Sequence, residues 1–128
     1  MKGAIYEVDS GRLEMIITAP RKEDIDLQLT GRTGFRAYYG DVKDGQYIVE
    51  GSPVLRPVMG LTVSSTELTI AKVLRVDNIP KGTKVFHPEG EVVVDDGFIE
   101  WYSVEPGTYL FRFENFPYME EEINAVVR

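Results

Sequence analysis

At 128 residues with 43% apolar side chains, the chain is too apolar to be disordered and long enough for one domain or two very small ones. A formal charge of −7 excludes the basic surface that nucleic-acid phosphates require, and the absence of cysteine excludes a disulfide scaffold and any Cys-ligated metal site. The acidity is lopsided: residues 1–59 hold 8 basic and 9 acidic side chains, residues 60–128 hold 6 and 12, so the second half is the better candidate for a solvated face or for steering a basic partner.

The chain opens on Met1-Lys2-Gly3-Ala4-Ile5-Tyr6-Glu7, without the apolar stretch of a signal peptide, and no later run has the length of a membrane span. A protein made in the cytoplasm, with no membrane insertion, is expected. Ala4, Tyr6 and Val8 alternate with Ile5 and Glu7, and Leu13, Met15 and Ile17 alternate with Glu14, Ile16 and Thr18. Two period-two runs joined by Asp9-Ser10-Gly11 predict a β-hairpin. Over 20–29 a short helix entered by way of Thr18 and Pro20 competes with a strand carried by Ile25, Leu27 and Leu29. The residues favour helical turns first and strand last.

Residues 35–39 and 46–50 read as the next pair of runs, with the turn signal Asp44-Gly45 between them. Gly51 to Gly60, with Pro53 and Pro57 four apart, predicts a stiff, extended linker over 51–60 between a module at 1–50 and another at 61–128. The second module is denser in strand signals: 61–64, 67–76, 83–87, 91–94, 98–102, 108–114 and 122–127, separated by turns such as Asn78-Ile79-Pro80-Lys81-Gly82, Pro88-Glu89-Gly90, Asp95-Asp96-Gly97 and Pro106-Gly107. In the run from Thr108, Tyr109, Phe111 and Phe113 share one face and predict the core. The fold class is mainly β: a small N-terminal β-hairpin module with room for one short helix, then an Ig-like or transthyretin-like β-sandwich.

Catalytic chemistry finds little support. His87 is the sole histidine and sits at a strand end beside a turn, where a rim position explains it. No Gly-x-Ser-x-Gly elbow occurs. Asp95-Asp96-Gly97 lacks the spacing of a calcium loop, Glu120-Glu121-Glu122 reads as a solvated run, and Gly31-Arg32-Thr33-Gly34 lacks a following helix to complete a phosphate loop. Neither enzymatic activity nor a cofactor or metal is expected. Aromatics leave more room for function: Tyr38 and Tyr39 take opposite faces of one strand, Trp101 opposes Phe98 and Tyr102, and Tyr118 follows Phe116-Pro117 in a turn.

Several stretches in order carry a resemblance: Gly3-Ala4-Ile5-Tyr6-Glu7-Val8-Asp9, Gly11-Arg12-Leu13, Asp44-Gly45-Gln46-Tyr47-Ile48-Val49, Arg56-Pro57-Val58-Met59, Ile79-Pro80-Lys81-Gly82-Thr83-Lys84-Val85, Pro106-Gly107-Thr108-Tyr109 and Phe116-Pro117-Tyr118. Together they resemble small tail-associated proteins of tailed bacteriophages, of the kind encoded near tail-fibre genes. The second module alone is similar to small β-sandwich repeats. The phage resemblance implies a structural or assembly component of the virion tail or tail fibre, without an active site. It also implies other tail proteins as partners, symmetric copies with a trimer favoured, and residence in the virion after assembly in the host cytoplasm. Contact residues expected on this reading are Tyr38, Tyr39, Leu55, Met59, Trp101 and Tyr118. The rival is a carbohydrate-binding module stacking a glycan on a flat exposed aromatic, with Trp101 the natural platform.

Overall fold

A computed structural model describes all residues, Met1–Arg128. The chain is mainly β, with one short α-helix, and divides into two compact units, Met1–Arg56 and Pro57–Arg128.

In the first unit the alternating runs form β1 (Lys2–Glu7) and β2 (Leu13–Thr18), an antiparallel hairpin with a register shift at Ile5/Tyr6. The helix α1 (Lys22–Asp26) follows, then a 3-10 turn over Leu27–Leu29 and β3 (Phe35–Tyr39). Order in this sheet is β2-β1-β3, so β1 is central and Ala4 and Ile5 are fully buried. Residues 27–29 therefore do not extend as a strand. Ile25 and Leu29, four apart, turn to the same small core while Leu27 is 66% exposed, which is helical spacing. Neither Thr18 nor Pro20 begins the helix; its N-cap is Arg21, which supplies no side-chain cap, and Glu23 and Asp24 meet the positive end of the helix dipole instead. The helix lies close to the sheet at Gly3, where an added Cβ would stand 2.8 Å from Ile25 Cδ1 and 2.6 Å from the Tyr38 carbonyl oxygen.

The runs at 35–39 and 46–50 do not pair with each other. Strand β3 returns to β1, whereas β4 (Gln46–Val49) pairs with β5 (Ser52–Leu55). The proposed linker 51–60 is thus corrected: its first half is a strand of the first unit, and Met59 is buried in the core of the second. Glu50 and Gly51 form a two-residue loop with φ of 50° and 77°, the backbone of a type I′ hairpin turn. Pro53 is tolerated because a two-stranded ribbon has only edge strands. Such a ribbon is marginal alone, and this one is held through Gly11. The Ile48 N–H donates to the Gly11 carbonyl oxygen at 2.9 Å, and Gly11, at φ +78°, approaches so closely that a Cβ there would lie 2.0 Å from the Ile48 carbonyl oxygen.

The second unit contains β6 (Thr62–Val63), β7 (Glu67–Leu68), β8 (Leu74–Asp77), β9 (Thr83–His87), β10 (Gly90–Val94), β11 (Ile99–Trp101), β12 (Gly107–Glu114) and β13 (Glu121–Val127). The run expected to be continuous over 67–76 is broken by a turn in which Ala71 takes φ +64° and donates its N–H to the Ser103 carbonyl oxygen. One sheet has the order β10-β9-β12-β13-β7 and a second the order β11-β8-β6. Both contribute to one core, with Val85, Phe111, Phe113 and Ala125 from the first and Leu74 and Val76 from the second, joined by Met59 and Ile79. Phe111 and Phe113 are buried as their alternation predicts, with Tyr109 half-buried at the margin. Thr83 is buried with its hydroxyl donating to the Pro80 carbonyl oxygen at 2.6 Å.

Gly11→Ala places a methyl group where the Ile48 carbonyl stands, at a backbone angle that disfavours side chains. It is expected to cost about 2–3 kcal/mol and to speed amide exchange selectively in Gln46–Leu55. Glu50→Asn, matched to the positive φ of the hairpin turn, is expected to stabilise the first unit by about 0.5–1 kcal/mol. Urea melts monitored by exchange in each unit test both.

Candidate functional site

The six expected contact residues fall into different environments. Met59, 7% exposed, is core and is removed from the set. An apolar, unbranched side chain between Val58 and Gly60, outside any alternating run, offered no sign of which way it would turn. Tyr38 is half-buried, its ring folded over Gly40. Tyr39 is exposed but engaged: its hydroxyl donates to Asp26 Oδ1 and Lys22 Nζ lies 4.5 Å from its ring centroid. Leu55 is 74% exposed at the end of β5. Tyr118 is half-buried against the core of the second unit.

Trp101 turns inward from β11. Its ring meets Tyr109 at 4.8 Å between centroids and Phe111 edge-on at 5.1 Å. The flat open platform that sugar stacking asks of it is absent. Its Nε1 is buried and closes no hydrogen bond, although it lies near enough to Glu89 to assist in keeping that carboxylate ionised. The larger influence on Glu89 is the hydrogen bond with His87 Nδ1 at 3.1 Å, and the carboxyl is held below its usual range. His87 is thereby occupied by a neighbouring turn residue. No group of three or more His, Cys, Asp or Glu side chains is arranged to hold a metal ion.

Two surface concavities occur in the second unit. One, of about 350 Å³, lies along Phe86, Pro88, Leu110 and Arg112. The Arg112 guanidinium is 4.7 Å from the Phe86 centroid and 3.0 Å from Glu114 Oε1, so the aromatic floor is roofed by a paired cation. The other, of about 470 Å³, follows the open side of the two sheets, where β10 and β11 are both terminal strands. Val92, Phe98 and Ile99 line it and Asp95 and Asp96 close one end. Val92 is 45% and Val93 53% exposed, one on each side of the pleat. Sequence reasoning identified 91–94 as a strand and Asp95-Asp96 as turn residues but did not select them as a surface. The available signal was Val92-Val93-Val94: three consecutive β-branched apolar residues cannot all face one core in a strand of period two.

The arrangement offers apolar strand surface and free strand edge. The sequence matches no protein-family model, no curated protein and no solved structure.

The Tyr39 hydroxyl is raised above its ordinary value of 10.0, chiefly by its hydrogen bond to Asp26. A raised folded-state value means that this contact is fully present below about pH 10 and is lost as pH climbs through the folded-state value. Melting temperatures between pH 8 and pH 11.5 should therefore fall more steeply for the unaltered protein than for Tyr39→Phe. The difference will be small because the pair is open to solvent.

Proposed function

We propose that this chain is a non-enzymatic structural or assembly component of a bacteriophage tail or tail fibre, acting through protein–protein contacts. The observation that carries the contact reading is the placement of large apolar side chains on the open surfaces of strands: Leu55 and Val54 on β5, Val92 and Val93 on β10, and Leu110 on β12. Scattered apolar exposure is ordinary, but β5 and β10 also have a free edge, and apolar side chains on such strands suit burial against a partner; Leu110 adds only an outward face, since β12 is paired on both sides. The resemblance to tail-associated proteins supplies the setting. Other tail proteins are the partners on this reading, and several copies, a trimer foremost, are expected in the assembled appendage.

The test is mass spectrometry of purified virions and tail-assembly intermediates from a phage encoding the chain, where the protein should appear in fixed ratio to tail proteins. Absence from both overturns the proposal. Leu55→Asp should leave the melting midpoint nearly unchanged, within about 0.5 kcal/mol, while lowering incorporation into particles. A variant that incorporates normally removes β5 from the contact surface.

A further inference from the structure

We infer that β10 is a receptor edge for an extended, lysine- or arginine-flanked segment of another protein, which adds to the five-stranded sheet as a sixth strand. The inference rests on the assembly reading above and gives one of its contacts a chemistry. Strand β10 pairs only with β9, in a register without irregularity from Gly90↔His87 to Val94↔Thr83, so its other backbone edge has no strand partner. Its sequence, Gly-Glu-Val-Val-Val, is rich in β-branched residues and has no lysine, proline or bulge to blunt the edge; its one charge is Glu91, beside Gly90 at the start of the strand. Val92 and Val93 give an incoming strand an apolar neighbour on either face, and the concavity beyond Val92, floored by Phe98 and Ile99, receives a side chain from that strand.

The surrounding charge chooses the occupant. Glu89 and Glu91 stand at one end of the edge and Asp95 and Asp96 at the other, all exposed. Glu89 is hydrogen-bonded with His87 Nδ1 at 3.1 Å and Lys84 stands opposite Val93 on β9, so the four carboxylates outnumber the cations beside them. Arg75 is bound by Asp77 at 3.0 Å and by Glu100 at 2.9 Å, and Lys84 leans over Phe86 on the adjacent strand at 5.9 Å. A second copy of this chain is a poor occupant. Two β10 strands meeting antiparallel about Val92 would set Asp95 of one opposite Glu89 of the other and bring both acidic rims together. A strand with apolar alternation and basic ends satisfies the valines and the carboxylates at once, and opposite charge also speeds its arrival.

The full-length protein is titrated with a fluorescent peptide that has a Thr-Val-Thr-Val-Thr centre and lysines at both ends, and with a twin carrying glutamates in their place. The lysine peptide should bind, more weakly as salt rises, and should protect amides of Gly90–Val94 from hydrogen exchange. The combined variant Glu91→Lys, Asp95→Lys and Asp96→Lys should bind it on the order of tenfold more weakly and prefer the glutamate twin. The same charge change placed in the first unit, Asp9→Lys with Glu23→Lys and Asp44→Lys, should leave binding at the original level. No binding of the lysine peptide, equal binding of the twins, or protection that falls outside β10 overturns the inference. Capture of the lysine peptide by a protein missing from virions would remove the phage setting alone. A virion component that ignores the peptide would remove β10 as receptor alone.

Discussion

Strand β12 bears the second unit because it is the place where backbone pairing and side-chain burial coincide. It pairs antiparallel with β9 on one side and β13 on the other, while its alternate residues Phe111 and Phe113 enter the core shared with β8 and β11. A unit of this size is marginal by its surface-to-volume ratio. Truncating a buried ring of this kind costs about 3–5 kcal/mol, against a total of about 5–15 kcal/mol for a folded domain. Trp101, Tyr109 and Phe111 meet at tilted and edge-on angles, which suits aromatic quadrupoles. These three aromatics are thereby consumed in holding two sheets together, while Tyr102, 60% exposed, stays on the outer surface.

The first unit solves a similar problem with less apolar material. Its core is Ile5, Ala19 and Ile25 with partly buried neighbours, and its compactness depends on backbones that approach without side chains between them. Gly3 admits the helix and Gly11 admits the β4–β5 ribbon, each at a distance that a methyl group would not allow. These contacts replace the burial that a larger core would supply, and they explain why a two-stranded ribbon persists where in isolation it would fray.

Much of the fold was legible wherever period two was unbroken. The β1–β2 hairpin and the Phe111/Phe113 face follow directly from alternation and turn residues. Pairing across sequence distance was not legible, because Asp44-Gly45 signals a change of direction but not the partner of the next strand; β3 goes back to β1, closed by contacts that local propensity does not encode. The ribbon at 46–55 was hidden by Glu50, an unusual residue for a type I′ turn, and by Pro53, which argues against a strand unless the strand is an edge. Among the surface candidates, Leu55 was legible as an apolar residue near a proline. Trp101 was not, since inward and outward positions at the end of a short strand differ by one residue of register; Met59 was not, since it lies in irregular backbone between β5 and β6, where no alternation sets its direction.

The edges of the sheets explain why one strand stands apart as a surface. Strands β6 and β7 are two residues long and β11 is three, too short to template a partner. The edge strands β2 and β3 carry Glu14 and Arg36 among their outward residues, as β10 carries Glu91, but neither has two adjacent exposed apolar β-branched residues. Strand β10 has five residues with Val92 and Val93 exposed; Glu89 and Glu91 precede these valines and Asp95 and Asp96 follow the strand. An edge that were only apolar would invite its own copies, and an edge that were only acidic would bind nothing by burial. Placing repulsion at the ends and attraction at the centre keeps identical edges apart while leaving the backbone free for a strand of opposite end-charge. Specificity then arises from the penalty on the wrong partner as much as from the gain with the right one.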